Sequence, residues 1–397
     1  MRTNASLIVV MAVLVLAAVT EGFQCSSAAL TSAKLYIQRS EWANARQSLE
    51  DELAKNPQNE EAWYLLGGVK AEMKDFAGMN QAFGNALSIS NAHENDIKMR
   101  RLSFWAQYFN SGVTYFSKGR DSSEYYDKAI EAFKSAIAIN PDSATSYKNL
   151  AYAYLAKGDD KGAIQPFEEV LKRGNDAQAA KLLGEISYDA GVRHRTAFEA
   201  MGIENKDSTE YRAAMGEFNK SIDYLQKASL WGPQDEEIVT VLMNAYIAAD
   251  RIDEAKEDFR KAAERHPENK FYQYNYGVLL LKEKNYMGAI ERFEKAVSVD
   301  ADYENALYNL GVAHVNWGVE MREAAEAEAQ KRGSGVKTSE KYKEKFRAAL
   351  PYFQRVLDIR PEDAELWEQL GKVYANLNMQ AEAKAAFDKA DQIRQGK

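Results

Sequence analysis

Four histidines, His93, His194, His266 and His314, and one cysteine, Cys25, are the side chains of this 397-residue chain best suited to metal or nucleophilic chemistry. Neither kind is spaced for it. No two histidines stand four apart as they would to share a helix face around zinc, and one cysteine can build neither a thiolate site nor an internal disulfide. Gly333-Ser334-Gly335 reads as a loop tip, because no strand precedes it and no Gly-Lys-Ser follows, as phosphate-binding loops require. The acidic run from Glu320 to Glu328 reads as a solvated helix face. We therefore expect no enzyme, no metal and no cofactor.

Charge excludes a further class. With 59 acidic and 51 basic residues, a net charge of −8 and a pI near 5.4, the chain lacks the clustered cations that displace counterions from DNA or RNA. Seven prolines are few, and 22 tyrosines with 16 phenylalanines and six tryptophans are many. That balance predicts packed helices rather than disorder.

The N-terminus predicts export. Arg2 precedes an unbroken apolar run from Leu7 to Val19, long enough for a signal sequence and short of the roughly twenty residues a membrane-spanning helix needs. Residues 1–25 are read as that signal. Cys25, followed by Ser26 and Ser27, resembles the lipidated cysteine of bacterial lipoproteins, although Phe23-Gln24 departs from the small residues usual before it. The alternatives are lipidation at Cys25 and ordinary cleavage near Gly22 or within Ser27-Ala28-Ala29. Both place the folded part in the envelope, as a periplasmic protein or an outer-membrane lipoprotein.

The rest of the chain repeats with a period of 34. Leu242, Tyr246, Ala255, Phe259 and Ala262 correspond to Tyr276, Leu280, Ala289, Phe293 and Ala296, and the last unit carries Trp367, Leu370, Gly371, Tyr374, Ala383, Phe387 and Ala390. Large apolar residues three or four apart share one helix face. Each unit then reads as two antiparallel helices, with Gly67, Gly277, Gly311 and Gly371 allowing close approach. Pro57, Pro141, Pro233, Pro267 and Pro361 end second helices, while Pro166 and Pro351 fall inside them and predict kinks or early starts. These residues resemble the tetratricopeptide repeat (TPR). The resemblance implies an all-α, right-handed α-solenoid over residues 26–397. Nine helix-turn-helix units begin near 26, 60, 98, 144, 177, 236, 270, 304 and 364.

Three units exceed 34 residues. Extra residues at about 112–124, 192–217 and 319–345 predict lengthened helices or inserted helical arms, two of them reaching roughly 20 Å from the array. Gly112-Val113, Gly191-Val192 and Gly318-Val319 stand at one shared offset in this register.

In relatives of this kind the first helices line a concave groove. The resemblance places Tyr64, Lys148, Asn149, Tyr152, Asn244, Tyr274, Asn275, Tyr308, Asn309 and Asn316 there. Asn both donates to and accepts from a peptide backbone, and Tyr gives contact area at small entropic cost. The carboxylate clamp of some relatives is matched only by Lys148 with Asn149, since Tyr152 replaces the next Asn. The expected function is a non-catalytic scaffold binding envelope proteins or peptides. The alternative is self-assembly through the arms and the last unit, whose Lys384, Asp388, Asp391 and Gln392 face outward without a capping helix.

Overall fold

A computed structural model describes residues 27–202, 206–232, 236–332 and 340–396. The export segment, Cys25, Pro233 and Gly333-Ser334-Gly335 lie outside the described residues. Eighteen helices and no strands form among those that are described, so the all-α expectation holds. The chain divides after Gly174 into two compact units.

The first unit holds four helix pairs. They are α1 (Ala28–Gln38) with α2 (Trp42–Lys55), α3 (Glu60–Glu72) with α4 (Phe76–Ile89), α5 (Glu94–Lys118) with α6 (Glu124–Ile139), and α7 (Ala144–Lys157) with α8 (Asp160–Arg173). The second unit holds five: α9 (Ala177–Ala200) with α10 (Thr209–Trp231), α11 (Glu236–Ala248) with α12 (Ile252–Arg265), and α13 (Lys270–Lys282) with α14 (Tyr286–Val299). Then come α15 (Glu304–Arg332) with α16 (Tyr342–Ile359) and α17 (Ala364–Asn376) with α18 (Gln380–Arg394). Inside each unit the helices pack on their neighbours in sequence, except that the α4 backbone packs on α6 and hardly approaches α5. Such an array derives its stability from neighbour contacts.

Local chemistry sets the helix ends. Asn59, Asp75, Ser143, Asp159, Asp176 and Asp363 each accept a backbone N–H from the first turn of the helix that follows, satisfying a donor the helix itself leaves open. Between the two helices of seven pairs one described residue adopts a left-handed conformation: Ser40, Lys74, Gly158, Gly202, Asp250, Lys284 and Asn378. Only two of the seven are glycine. α8 and α16 run through Pro166 and Pro351, and neither proline starts a helix.

One contact organises the pairs. The eighth residue of α3, α9, α13, α15 and α17 is glycine, and a large side chain of the second helix lies against it. A β-carbon at Gly67 would stand 2.4 Å from the Phe83 ring, one at Gly277 2.6 Å from Phe293, one at Gly371 2.7 Å from Phe387. The same face carries Gly184 against Leu225 and Gly311 against Phe353. α7 has Ala151 there, fully buried.

In the two long hairpins of the second unit the contact recurs seven residues outward on both helices, as Gly191 on Phe218 and Gly318 on Phe346. α9 has 24 residues and α10 has 23, so this hairpin lengthens on both arms, whereas α15 has 29 and α16 only 18. The third pair differs. Gly112 is the nineteenth residue of α5 and meets Phe133, the ring that stands eight before Pro141 as Phe353 stands eight before Pro361. Its extra turns precede the contact rather than follow it, and the helix begins at Glu94, not near 98. The three Gly-Val pairs therefore do not share one structural offset.

α11 breaks the rule with Met243 as its eighth residue, 4 % exposed. A methionine has the bulk that glycine lacks at this place, and α11 touches α12 over little of its length. Phe259 packs edge-on to Tyr272 of the following pair, with ring centres 6.1 Å apart. A cavity of about 510 Å³ remains between α10 and α12, bordered by Leu230, Leu242 and Phe259.

Candidate polypeptide-binding surface

Tyr64 of α3 is 9 % exposed. Its ring stacks on His93 at 4.1 Å, its hydroxyl accepts a hydrogen bond from Arg100 Nε at 3.0 Å, and His93 Nδ1 lies 2.8 Å from Glu60. Tyr64 is thus a strut between α3 and α5, not an open contact. The burial follows from α5, whose extra turns bring Arg100 over it. On α7, Lys148, Asn149 and Tyr152 are half-buried. Asn149 Nδ2 donates to the Thr145 carbonyl at 2.9 Å, and Tyr152 packs edge-on to Phe167.

The second unit treats its two Tyr-Asn pairs differently. Asn275 is 7 % exposed and donates to the Phe271 carbonyl at 2.9 Å, so it belongs to the packed interior and leaves the set of ligand-facing residues. Asn309, at the same place in α15, stays half-buried. Its Nδ2 donates to the Tyr274 hydroxyl at 3.1 Å and to the Asn305 carbonyl at 3.0 Å. Both amide donors are thereby used, and only the amide oxygen is left to accept from a ligand.

Tyr274 and Tyr308 are half-buried, the first edge-on to Tyr303 at 5.4 Å and the second tilted on Phe353 at 6.0 Å. Burial raises the Tyr274 hydroxyl above its usual pKa, against the bond from Asn309, so it stays a neutral phenol. Asn244 and Asn316 are exposed on α11 and α15. Of the ten residues named from the sequence, eight keep at least partial access and Tyr64 and Asn275 do not.

Sequence reasoning missed the polar residues that hold the first helices together. Gln273, fully buried, donates to the Ala263 carbonyl at 2.8 Å and ties α13 to α12. Trp105 Nε1 donates to Ser146 at 2.9 Å and ties α5 to α7. Arg100-Arg101 could have signalled the first unit's exception, since two cations fall where the repeat expects small or apolar residues. No group of three His, Cys, Asp or Glu among the described residues is placed to hold a metal, and no described helix is long and apolar enough to cross a membrane.

Profiles of one repeat family match four stretches: tetratricopeptide repeat over 30–78, 123–186 and 338–397, and TPR repeat over 277–318. The chain carries tetratricopeptide repeats. Curated relatives of this TPR chain include superkiller complex protein 3 of Mus musculus, 22% identical over 82% of the chain and 20% of the relative. Another is the peroxisomal targeting signal receptor of Kluyveromyces lactis, 24% identical over 50% of the chain and 37% of the receptor. The TPR chain thus spans a minor part of either relative. Among solved structures, YrrB, described as a TPR protein with an unusual peptide-binding site, aligns at TM-score 0.36 and 19% identity, over 60% of this chain and 96% of that one. MamA aligns at TM-score 0.35 and 17% identity, over 48% and 96%. TPR proteins mediate protein–protein interaction.

Proposed function

We propose that this chain is a non-catalytic scaffold of the cell envelope that binds extended polypeptide segments along its first helices. The Tyr274–Asn309 bridge carries the reading. With the bond to the Asn305 carbonyl it occupies both Asn309 amide donors and leaves the amide oxygen as that side chain's remaining acceptor for a peptide N–H, next to the half-buried Tyr274 ring. Exposed Asn244 and Asn316 extend the polar surface of the same helices. The apolar run before Cys25 supports export, with Cys25 as the residue a lipid would occupy. One acyl chain gives only marginal membrane affinity, so firm attachment needs a second element.

Capture from native envelope extract tests the reading, with the full chain beside an Asn244→Ala/Asn316→Ala/Asn309→Ala variant of unchanged helicity. A partner held by the first and lost by the variant supports the first-helix surface. A partner held equally by both removes it. Recovery of the chain in the cytoplasmic fraction would overturn the envelope location.

A further inference from the structure

Arg101 is the eighth residue of α5, the place glycine holds in five other first helices. No ring from α6 closes over it, because the ring contact of this pair has moved eleven residues on, to Gly112 and Phe133. The space left is a cavity of about 600 Å³. Leu87, Ile97, Leu102, Trp105, Ile139 and Pro141 give it apolar walls, and Leu102 is 52 % exposed at its edge.

The guanidinium of Arg101 lies 5.6 Å over the Phe83 ring, and one Nη donates a long 3.4 Å bond to the Asn80 carbonyl. Its Nε is shut off from solvent without an acceptor. Burial pulls its pKa below the usual arginine value. Asn80 already donates to the Ala138 and Ile139 carbonyls, so the end of α6 is satisfied from elsewhere. Lys98 lines the same cavity. Glu94 and Asp142 line it too, and among the described residues neither forms an ion pair with Lys98 or Arg101. A partly desolvated cation without a counter-charge is costly, and a carboxylate brought to it makes short charge-assisted hydrogen bonds.

We infer that this cavity docks a polypeptide segment presenting an Asp or Glu beside a large apolar side chain, the carboxylate pairing with Arg101 and the apolar side chain entering against Trp105 and Ile97. The inference rests on the protein-binding reading above but uses a different surface.

The probe is a capped, amidated Ala-Glu-Leu-Phe-Ala peptide, with its Gln analogue as control, titrated to millimolar concentration into the full chain. The readout is the Arg101 Nε–H resonance, assigned by its loss in Arg101→Lys. The Glu peptide should shift that resonance saturably and bind roughly tenfold tighter than the Gln peptide. Arg101→Met, with melting and helicity unchanged, should lose that preference. Equal binding of both peptides, or no shift at Arg101, overturns the inference. So does a shift that grows with protein concentration alone, which would make a second copy of this chain the occupant. The Asn244/Asn309/Asn316 variant should bind the Glu peptide normally, so failure here and failure of the first-helix surface are separable.

Discussion

Asn309 donates its amide hydrogen to the Tyr274 hydroxyl at 3.1 Å, joining α15 to α13 through two residues of the proposed binding surface. The bond fixes which atom of the amide is offered outward. Tyr274→Phe removes the acceptor and releases one Asn309 donor. Stability should fall by about 0.5–1.5 kcal/mol, the net worth of one hydrogen bond. A partner that relies on the Asn309 oxygen should also dissociate faster, read by surface-bound kinetics; an unchanged off-rate would exclude Asn309 as a contact.

The glycine contact predicts opposite signs for two similar substitutions. Gly67→Ala drives a β-carbon into the Phe83 ring, which is fully buried, and should destabilise by about 1–3 kcal/mol. Gly84→Ala, on α4 with nothing within 4 Å of the added carbon, should stabilise by about 0.5–1 kcal/mol through helix propensity. Urea unfolding of both variants checks the pair, and equal effects would deny the contact its role.

The left-handed turn residue predicts a gain. Lys284 holds φ at 61°, a region costly for a residue with a β-carbon. Lys284→Gly should raise stability by about 0.5–1 kcal/mol, strain relief exceeding the added freedom of the unfolded chain. Thermal melting shows it as a higher midpoint, and a lower midpoint would refute it.

His314 predicts a pH dependence. It is 9 % exposed, stacks on Tyr352 at 5.8 Å and has a buried Nδ1 without a partner. Desolvation first and Lys345 second lower its pKa from 6.5 to about 4. The unfolded chain therefore binds the proton that the folded chain refuses, and stability is complete above about pH 6.5 and falls as pH drops toward 4. The loss is on the order of 3 kcal/mol by linkage. His314→Phe should flatten that part of the profile, measured as urea midpoints near pH 7 and about pH 5.

The helix pairs were legible because a 34-residue period, caps and prolines all mark the same joints. Pro57 and Pro361 each stand two residues beyond the end of a second helix, as the pattern required. Depth was less legible. Tyr274-Asn275 and Tyr308-Asn309 look alike in sequence, yet Asn275 is buried and Asn309 is not, because burial depends on how closely the neighbouring helices approach. The third unit misled for a related reason. A single 25-residue helix hides where its pairing begins, and the Gly112–Phe133 contact reveals it. Arg101 carried no signal as a site until the space opposite it was seen to be open.

Met243 has a consequence for how the second unit fails under load. Because α11 and α12 share little surface, the row of pairs has a thin seam there, and heating or pulling should part it before any glycine-sealed pair opens. The backbone amides on both sides of that seam are then the first to exchange with solvent. The helices on each side keep their own sealed pairs, so rupture at one residue's position would leave two still-folded halves rather than a collapsed chain.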